Sequence, residues 1–384
     1  MRRAPFSTSL LVSAAALLAA ACDGAPSPQE PRAAPRAAPA LARRDGLPAR
    51  RDPTALLGSA THWADGYLEA HLETTPSYAP GPGYSFNRAG RGTIALTKVA
   101  GATGRYVATF GGLSATLGGH SAVHVTGLSG GTTYCKLAGA YLASDKVEVR
   151  CFDAVTGLPV NSQFSLLVTR GYPDLAFAYA HRETSTNYAP DARGSWNPAG
   201  ATTVVRSGVG QYRVTFRSLG TQLPPNMLGH VQVNAVGTSN AYCNPYNWYT
   251  SGTPDLSVDV RCFETPSGAA VDRRFTVLFV LPSEHLAYAW ADKPATGTYA
   301  PFPNYSANPA GGQITLVRGG PGAYHASWAG VDGEILGDGN VQVTAFGSNA
   351  LCKGFRTFPG GARVDCFLPN GIQVDTRYQV LLGS

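Results

Sequence analysis

The chain has 384 residues, of which 44 % are hydrophobic and 14 % are charged, and its formal net charge is +6. Residues 1–57 carry eight arginines and four acidic residues, which leaves 22 basic and 20 acidic residues in the remainder. That remainder is nearly balanced in charge, so a nucleic-acid-binding surface, which requires clustered positive charge, is not predicted.

The first element in chain order is an export signal at residues 1–21. Arg2 and Arg3 supply a positive start, and the apolar segment 10–21 is too short to span a membrane, which needs roughly 20 helical residues. Three alanines then precede Cys22, and this ending resembles the bacterial lipobox, although that motif prefers Leu at the position of Ala19. The resemblance implies that Cys22 is acylated and becomes the mature N-terminus. An ordinary signal peptide cleaved at an Ala-x-Ala site is the alternative.

The second element is a linker at residues 22–60, which begins with the lipidated cysteine. It is rich in Pro, Ala and Arg and has no sustained apolar pattern. We expect a disordered, semi-rigid spacer, because such a segment buries too little apolar surface to fold. The signal and the linker together predict an exported protein that is anchored to a membrane through its lipid, at the outer membrane or the cell surface.

Three copies of one unit follow the linker. A Tyr-Ala-Pro motif begins at Tyr78 and recurs at offsets of 110 and 111 residues, at Tyr188 and Tyr299. The same order of further markers follows in each copy: an Asn, a Gly-x-Tyr-x-x-x-aromatic element, an alternating strand and a pair of cysteines. Repeated markers at one spacing indicate a tandem array. We predict repeats at 61–170, 171–281 and 282–384.

The cysteines support the same division. Six remain when Cys22 is set aside, and they fall into three local pairs, one in each repeat. Six cysteines allow 15 pairings, but like repeats should be joined in the same way, and an exported protein permits disulfides. The sequence therefore predicts the bonds Cys135–Cys151, Cys243–Cys262 and Cys352–Cys366.

The predicted fold class is all-β, with three tandem β-sandwich-like domains of about 105 residues each, close to the size of other small sandwiches. Segments such as LSVDVRCF alternate apolar and polar residues, which predicts strands with one buried face. Gly and Pro clusters separate the strands, and we expect seven or eight strands in each repeat. A small closed barrel is the alternative.

This pattern resembles a class of secreted, cysteine-paired β-repeats found in bacterial exoproteins and lipoproteins, mostly without assigned activity. The resemblance covers most of 64–384, and the segments that carry it are GQYRVTF, HVQVNAVG, VDVRCF and AAVDRRFTVLF with their counterparts. It implies an all-β fold and an exported location, and it brings no catalytic residues.

Candidate metal ligands are few, and we predict no catalytic residue, metal site or cofactor. His120 and His124 lie four residues apart on a predicted strand, but the other copies do not keep the pair, so we expect polar positions on an exposed face. Asp332, Glu334 and Asp338 lie in a glycine-rich turn without EF-hand spacing, which favours hairpin-turn chemistry over a calcium site.

Residues that occur in one copy only are better candidates for binding. Tyr246, Asn247, Trp248 and Tyr249 lie within the loop closed by the second cysteine pair, where aromatic rings and an amide can stack on sugars and bond their hydroxyls. Covering the disulfide is the alternative role. Residues repeated in every copy have an expected structural role, as turn-closing asparagines or as corner tyrosines: Asn87, Asn197, Asn308, Tyr78, Tyr188 and Tyr299.

The sequence thus predicts a non-enzymatic, surface-anchored binding or structural lipoprotein. Its partners are the membrane, through the lipid, and a glycan or another surface protein, which tandem domains can contact multivalently. A secreted hydrolase with an unrecognised active site between repeats is one alternative, and a protease inhibitor is another.

Overall fold

The computed structural model describes residues 64–90, 93–128, 130–250, 252–331, 339–357 and 360–383. The predicted signal peptide, Cys22 and the linker lie outside these residues, as do Asp332, Glu334 and Asp338. The described residues from Ala64 onwards form one compact unit. The three repeats therefore belong to a single packed body.

The described residues confirm the all-β class. Strands dominate, and the helices described are short 3-10 turns at Pro82–Tyr84, Ser114–Thr116, Leu219–Gln222 and Pro303–Tyr305. The first repeat contributes nine described strands: β1 (Gly66–Ala70), β2 (Ser77–Tyr78), β3 (Ser85–Asn87), β4 (Ile94–Lys98), β5 (Arg105–Phe110), β6 (Ala122–Gly127), β7 (Thr133–Leu137), β8 (Lys146–Asp153) and β9 (Phe164–Thr169).

The second repeat has the same order of strands, and the third has it without a counterpart of β3 among the described residues. The second has nine among the described residues: β10 (Leu175–Ala180), β11 (Asn187–Tyr188), β12 (Asp191–Trp196), β13 (Thr202–Gly208), β14 (Gln211–Phe216), β15 (His230–Val236), β16 (Ala241–Tyr249), β17 (Leu256–Glu264) and β18 (Arg274–Val280). The third has eight: β19 (Leu286–Ala291), β20 (Thr298–Tyr299), β21 (Ile314–Gly320), β22 (Ala323–Trp328), β23 (Asn340–Ala345), β24 (Leu351–Thr357), β25 (Gly361–Phe367) and β26 (Tyr378–Gly383).

Each repeat is sandwich-like, with two antiparallel sheets. We call the sheet that packs against the other repeats the inner sheet and the second one the outer sheet. The inner sheets have the orders β3-β1-β9-β6, β12-β10-β18-β15 and β19-β26-β23, and the outer sheets have the orders β2-β4-β5-β8-β7, β11-β13-β14-β17-β16 and β20-β21-β22-β25-β24. A short parallel pairing of β7 with β15 joins the outer sheet of the first repeat and the inner sheet of the second into one nine-stranded sheet.

A hydrophobic core fills the space between the two sheets of each repeat. The conserved order of markers explains why the cores are alike: the Tyr of each Gly-x-Tyr element is buried, and its hydroxyl accepts an N–H from the segment before the last strand. These tyrosines are Tyr106, Tyr212 and Tyr324. Each sandwich is therefore closed at the same corner by a buried ring whose polar atom is satisfied.

The three inner sheets share a further hydrophobic core. Residues from every repeat meet in it, among them Tyr67 from β1, Phe177 from β10 and Tyr288 from β19. Strand β6 is buried along its whole length, and His124 is only 1 % exposed. The expectation of one exposed face is wrong for this strand, because its second face packs on the other two repeats.

Polar contacts also run from each repeat to the next through the residue that follows the first cysteine. Lys136 Nζ donates to the carbonyl oxygen of Ser239 at 3.0 Å, and Asn244 Nδ2 donates to that of Ser348 at 3.0 Å. Lys353 Nζ donates to that of Gly130 at 2.8 Å. The contacts run from the first repeat to the second, from the second to the third and from the third back to the first. They therefore form a closed cycle.

Candidate ligand-binding face

The structure contains the three disulfides that the repeat predicts, Cys135–Cys151, Cys243–Cys262 and Cys352–Cys366. Each joins directly opposed residues of two neighbouring strands in an outer sheet. Strands β16 and β17, which carry Cys243 and Cys262, therefore pair as the two arms of a hairpin. The residues that were predicted to bind a ligand lie on its first strand, β16.

A bulge in β16 decides which way these residues face. The pairing with β17 shifts between Pro245 and Asn247, so Tyr246 is an extra residue on this strand. Asn247 then pairs opposite Asp259 and is exposed, whereas Trp248 pairs opposite the buried Val258. The predicted binding segment is thus divided between solvent and interior.

Trp248 lies in the interior and is 3 % exposed. Its indole N–H donates to the Leu228 carbonyl at 2.8 Å, and its ring meets those of Trp290, Tyr305 and Phe346 edge to face, with centroids 4.9–5.5 Å away. These three rings belong to the third repeat. Trp248 therefore packs the second repeat against the third, and a ligand on the outer face cannot touch it without rearrangement.

The outward residues form a flat polar and aromatic face, which we call the platform: Tyr246, Asn247, Tyr249, Arg213 and Arg261. The Arg261 guanidinium carbon lies 3.5 Å from the centroid of the Tyr246 ring, and that of Arg213 lies 5.6 Å from the Tyr249 centroid. Arginine stacks on aromatic rings through cation–π attraction and keeps its in-plane N–H groups available for other partners.

The charges of this face are unevenly paired. Arg213 pairs with Asp259 at 2.8 Å, and Arg217 pairs with Asp255 at 3.0 Å. Arg261 takes part in neither pair and stacks on Tyr246 instead. The platform therefore combines hydrogen-bond donors, an exposed amide and aromatic edges with a small excess of positive charge.

The equivalent positions of the other repeats differ from the platform. Where the second repeat has Arg213 and Arg261, the first has Val107 and Arg150, and the third has His325 and Asp365. The first repeat keeps the arginine at the position of Arg261, but neither of the other repeats has both arginines.

The histidine pair does not form a metal site in the structure. His124 is fully buried, and this burial lowers its pKa to about 3. His120 lies near the surface, where Nδ1 is 2.7 Å from the Ala192 carbonyl oxygen. Within the described ranges, no group of three or more His, Cys, Asp or Glu residues is placed to hold a metal ion.

The repeated polar residues have the structural role that we predicted. Asn87 Oδ1 accepts the N–H of Ala89, and its Nδ2 donates across the turn to Gly111. Asn197 and Asn308 make the same two kinds of bond. The hydroxyl of Tyr78 accepts two main-chain N–H groups, and those of Tyr188 and Tyr299 accept one each.

Three disulfides indicate an oxidising, extracytoplasmic compartment. In the part of the chain that the structure describes, no helix is long and apolar enough to cross a membrane. Comparison with protein-family models, with curated proteins and with solved structures gives no significant match.

Proposed function

We propose that this protein is an exported, lipid-anchored binding protein that holds an extracellular polysaccharide on the platform. The observation that carries the proposal is the Arg261 guanidinium, stacked 3.5 Å from the Tyr246 ring on the solvent side of a disulfide-joined hairpin. Its lipid anchor is inferred from the lipobox-like sequence before Cys22.

A polysaccharide fits this face for two chemical reasons. Aromatic edges and a flat guanidinium offer a shallow apolar surface to a sugar ring, and the Asn247 amide with the arginine N–H groups can bond hydroxyls or ring substituents. The strands below are hydrogen-bonded and joined by a disulfide, which limits the conformational entropy that is lost when a ligand binds.

The packing of the three repeats into one body changes the expected number of binding sites. The sequence predicts that tandem domains on a semi-rigid linker contact a partner multivalently, so that weak sites add. In the structure the repeats form one body and differ at the platform positions, which favours one strong face over three equal ones.

The test uses the full chain carrying Cys22→Ser, which removes the acyl acceptor and the need for detergent. Retention on insoluble cell-wall and matrix polysaccharides is measured for Tyr246→Ala and Arg261→Ala. We expect each variant to bind about tenfold more weakly, the effect of losing about 1.4 kcal/mol. Arg363→Ala is the matched control, because Arg363 stacks on Phe355 in the outer sheet of the third repeat, away from the platform.

Two results would count against this proposal. One is equal retention of the parent chain and both platform variants. The other is an equal loss in Arg363→Ala, which would indicate general charge attraction. The hydrolase and protease-inhibitor alternatives stay predictions, to be tested by turnover on a glycan and peptide panel and by inhibition of secreted proteases.

The anchor has its own test, which is the intact mass of the mature wild-type protein before and after reduction. Acylation of Cys22 and cleavage before it give a mass above that of the chain from residue 22. Reduction should then add six hydrogens, two for each disulfide. Cleavage without added lipid mass would exclude the anchor and leave the binding face untouched.

A further inference from the structure

A second candidate site, which shares no residue with the platform, lies in a groove between the first repeat and the second. We call it the inter-repeat groove. It encloses about 540 Å³, within the range of roughly 300–1,000 Å³ that small-molecule sites occupy. Its walls include Arg105, Arg150, Phe152, Leu158 and Pro159 of the first repeat and Thr238 of the second.

Two guanidinium groups of this groove share a single carboxylate. Arg105 Nε donates to Glu148 Oε1 at 2.8 Å and its Nη2 donates to Oε2 at 3.1 Å, while Arg150 Nε donates to Oε1 at 2.9 Å. The side chains of Arg105 and Arg150 are 40 % and 25 % exposed. One unit of positive charge is left over, and Nη1 of each arginine takes no part in these bonds.

An apolar side chain is held out to solvent beside these arginines. Leu158 is 64 % exposed, although its main chain is ordered by two bonds: its carbonyl accepts the Asp153 N–H at 2.9 Å, and its N–H donates to Thr156 Oγ1 at 3.3 Å. Pro159 and the Phe152 ring continue the apolar wall. An apolar wall next to uncompensated positive charge complements a ligand that has both an apolar body and an anionic end.

The combination belongs to the first repeat. The position of Arg105 holds Gln211 in the second repeat and Ala323 in the third, and the position of Leu158 holds Ala269 and Ile372. The repeated fold therefore does not require the arginine pair and the exposed leucine together. Thr238 completes the opposite wall only because the second repeat packs here.

We propose that the inter-repeat groove binds a carboxylate attached to an apolar body. The carboxylate accepts N–H groups from Arg105 and Arg150 and neutralises the charge that Glu148 leaves over, and the apolar body lies along Leu158 and Pro159. Two sources share this chemistry, a free fatty acid and the C-terminal end of an apolar peptide.

Calorimetric titration of the full chain carrying Cys22→Ser tests this with two matched pairs of probes. Decanoate and decanol represent the fatty acid, and N-acetyl-Leu-Phe with its amide represents the peptide end. We expect saturable binding of at least one carboxylate, with its uncharged partner at least about tenfold weaker, since charge-assisted bonds to arginine are lost. The pair that binds identifies the source.

Variants locate the binding within the groove. Arg105→Gln and Arg150→Gln should each weaken the carboxylate at least about tenfold and leave the uncharged partner unchanged. Thr238→Trp, which fills the groove from the opposite wall, should abolish binding with both arginines intact. Arg363→Ala, in the outer sheet of the third repeat, is the control and should have no effect.

The proposal is overturned if neither carboxylate saturates, if the uncharged partners bind equally well, or if the arginine variants bind like the parent chain. These outcomes are independent of polysaccharide retention, because the platform variants leave the groove unaltered. Thermal unfolding of each variant confirms that it is folded at the temperature of the titration.

Discussion

Lys136 of the first repeat donates from Nζ to the carbonyl oxygen of Ser239 in the second, 3.0 Å away. The lysine is 1 % exposed. Burial is the main cause that lowers the pKa of its ammonium group to about 7, and the nearby positive charges of Arg273 and Arg274 contribute to the same shift. A contact that closes the packing of the repeats is therefore sensitive to pH near neutrality.

Between about pH 7 and the ordinary lysine pKa near 10.5, the unfolded chain binds more protons at this residue than the folded chain. The free energy of unfolding should accordingly rise with pH there, by at most about 1.4 kcal/mol per pH unit. Lys136→Met should flatten this rise in urea unfolding measured from about pH 7 to 9, below the tyrosine range. The exposed Lys146→Met is the control, and equal slopes for wild type and Lys136→Met would contradict the expectation.

His124 should make the protein sensitive to acid. Burial lowers its pKa to about 3, whereas an unfolded histidine titrates near 6.5. The unfolded chain therefore gains a proton first as the pH falls below about 6.5, and stability is lost from there towards the folded pKa. His124→Asn places the residue found at Asn234 in the second repeat and should reduce the loss measured between about pH 6.5 and 4.5. A histidine on the exposed outer sheet, His325→Asn, should leave the slope as it is in the wild type.

Trp248→Ala should lower the free energy of unfolding without removing a side chain that contacts the ligand. The ring fills the junction of the second and third repeats, and removing a buried Trp of this kind costs about 3–5 kcal/mol. Chemical denaturation measures the loss, with the partly exposed Tyr246→Ala as the comparison. If Trp248→Ala lost polysaccharide retention while remaining folded, the division of this strand into a binding face and a packing face would be incorrect.

Removal of one disulfide tests how strongly the repeats depend on one another. The bond between Cys243 and Cys262 spans 19 residues, and replacing both with Ser should cost about 3 kcal/mol through the unfolded chain. Because the inner sheets share a core, we expect the loss to lower the midpoint of a single thermal transition. Separate unfolding of the second repeat, with the other two retained, would argue against a cooperative body.

The sequence was sufficient to predict the sandwich-like β-repeats and the partners of all six cysteines. Both follow from patterns within one repeat. Alternating apolar and polar residues predict a strand, and similar repeats are expected to have the same disulfide. The turn asparagines and corner tyrosines were predicted for the same reason: their hydrogen-bond partners lie within one repeat.

Packing between repeats could not be predicted in this way. His124 and Asn234 alternate with apolar neighbours as exposed residues do, but the partner that buries them is another copy of the fold more than 100 residues away: Asn234 Nδ2 donates to the Val125 carbonyl at 2.9 Å. The sequence pattern also does not show that Trp248 lies in the interior. The bulge at Tyr246 changes the side of the sheet on which the following residues of β16 lie.

The cycle of contacts from one repeat to the next returns to its start after three steps, which is the symmetry of a cyclic homotrimer built from heterologous interfaces. Here a single polypeptide supplies all three protomers. Because the three repeats differ in sequence, their junctions need not be identical, and they differ. Trp248 meets Trp290 at one of them, while at the equivalent place of another Arg356 lies near the buried Glu69. A single chain of three unlike repeats can thus carry a ligand site at one junction only. An assembly of three identical chains would carry the same site at all three junctions.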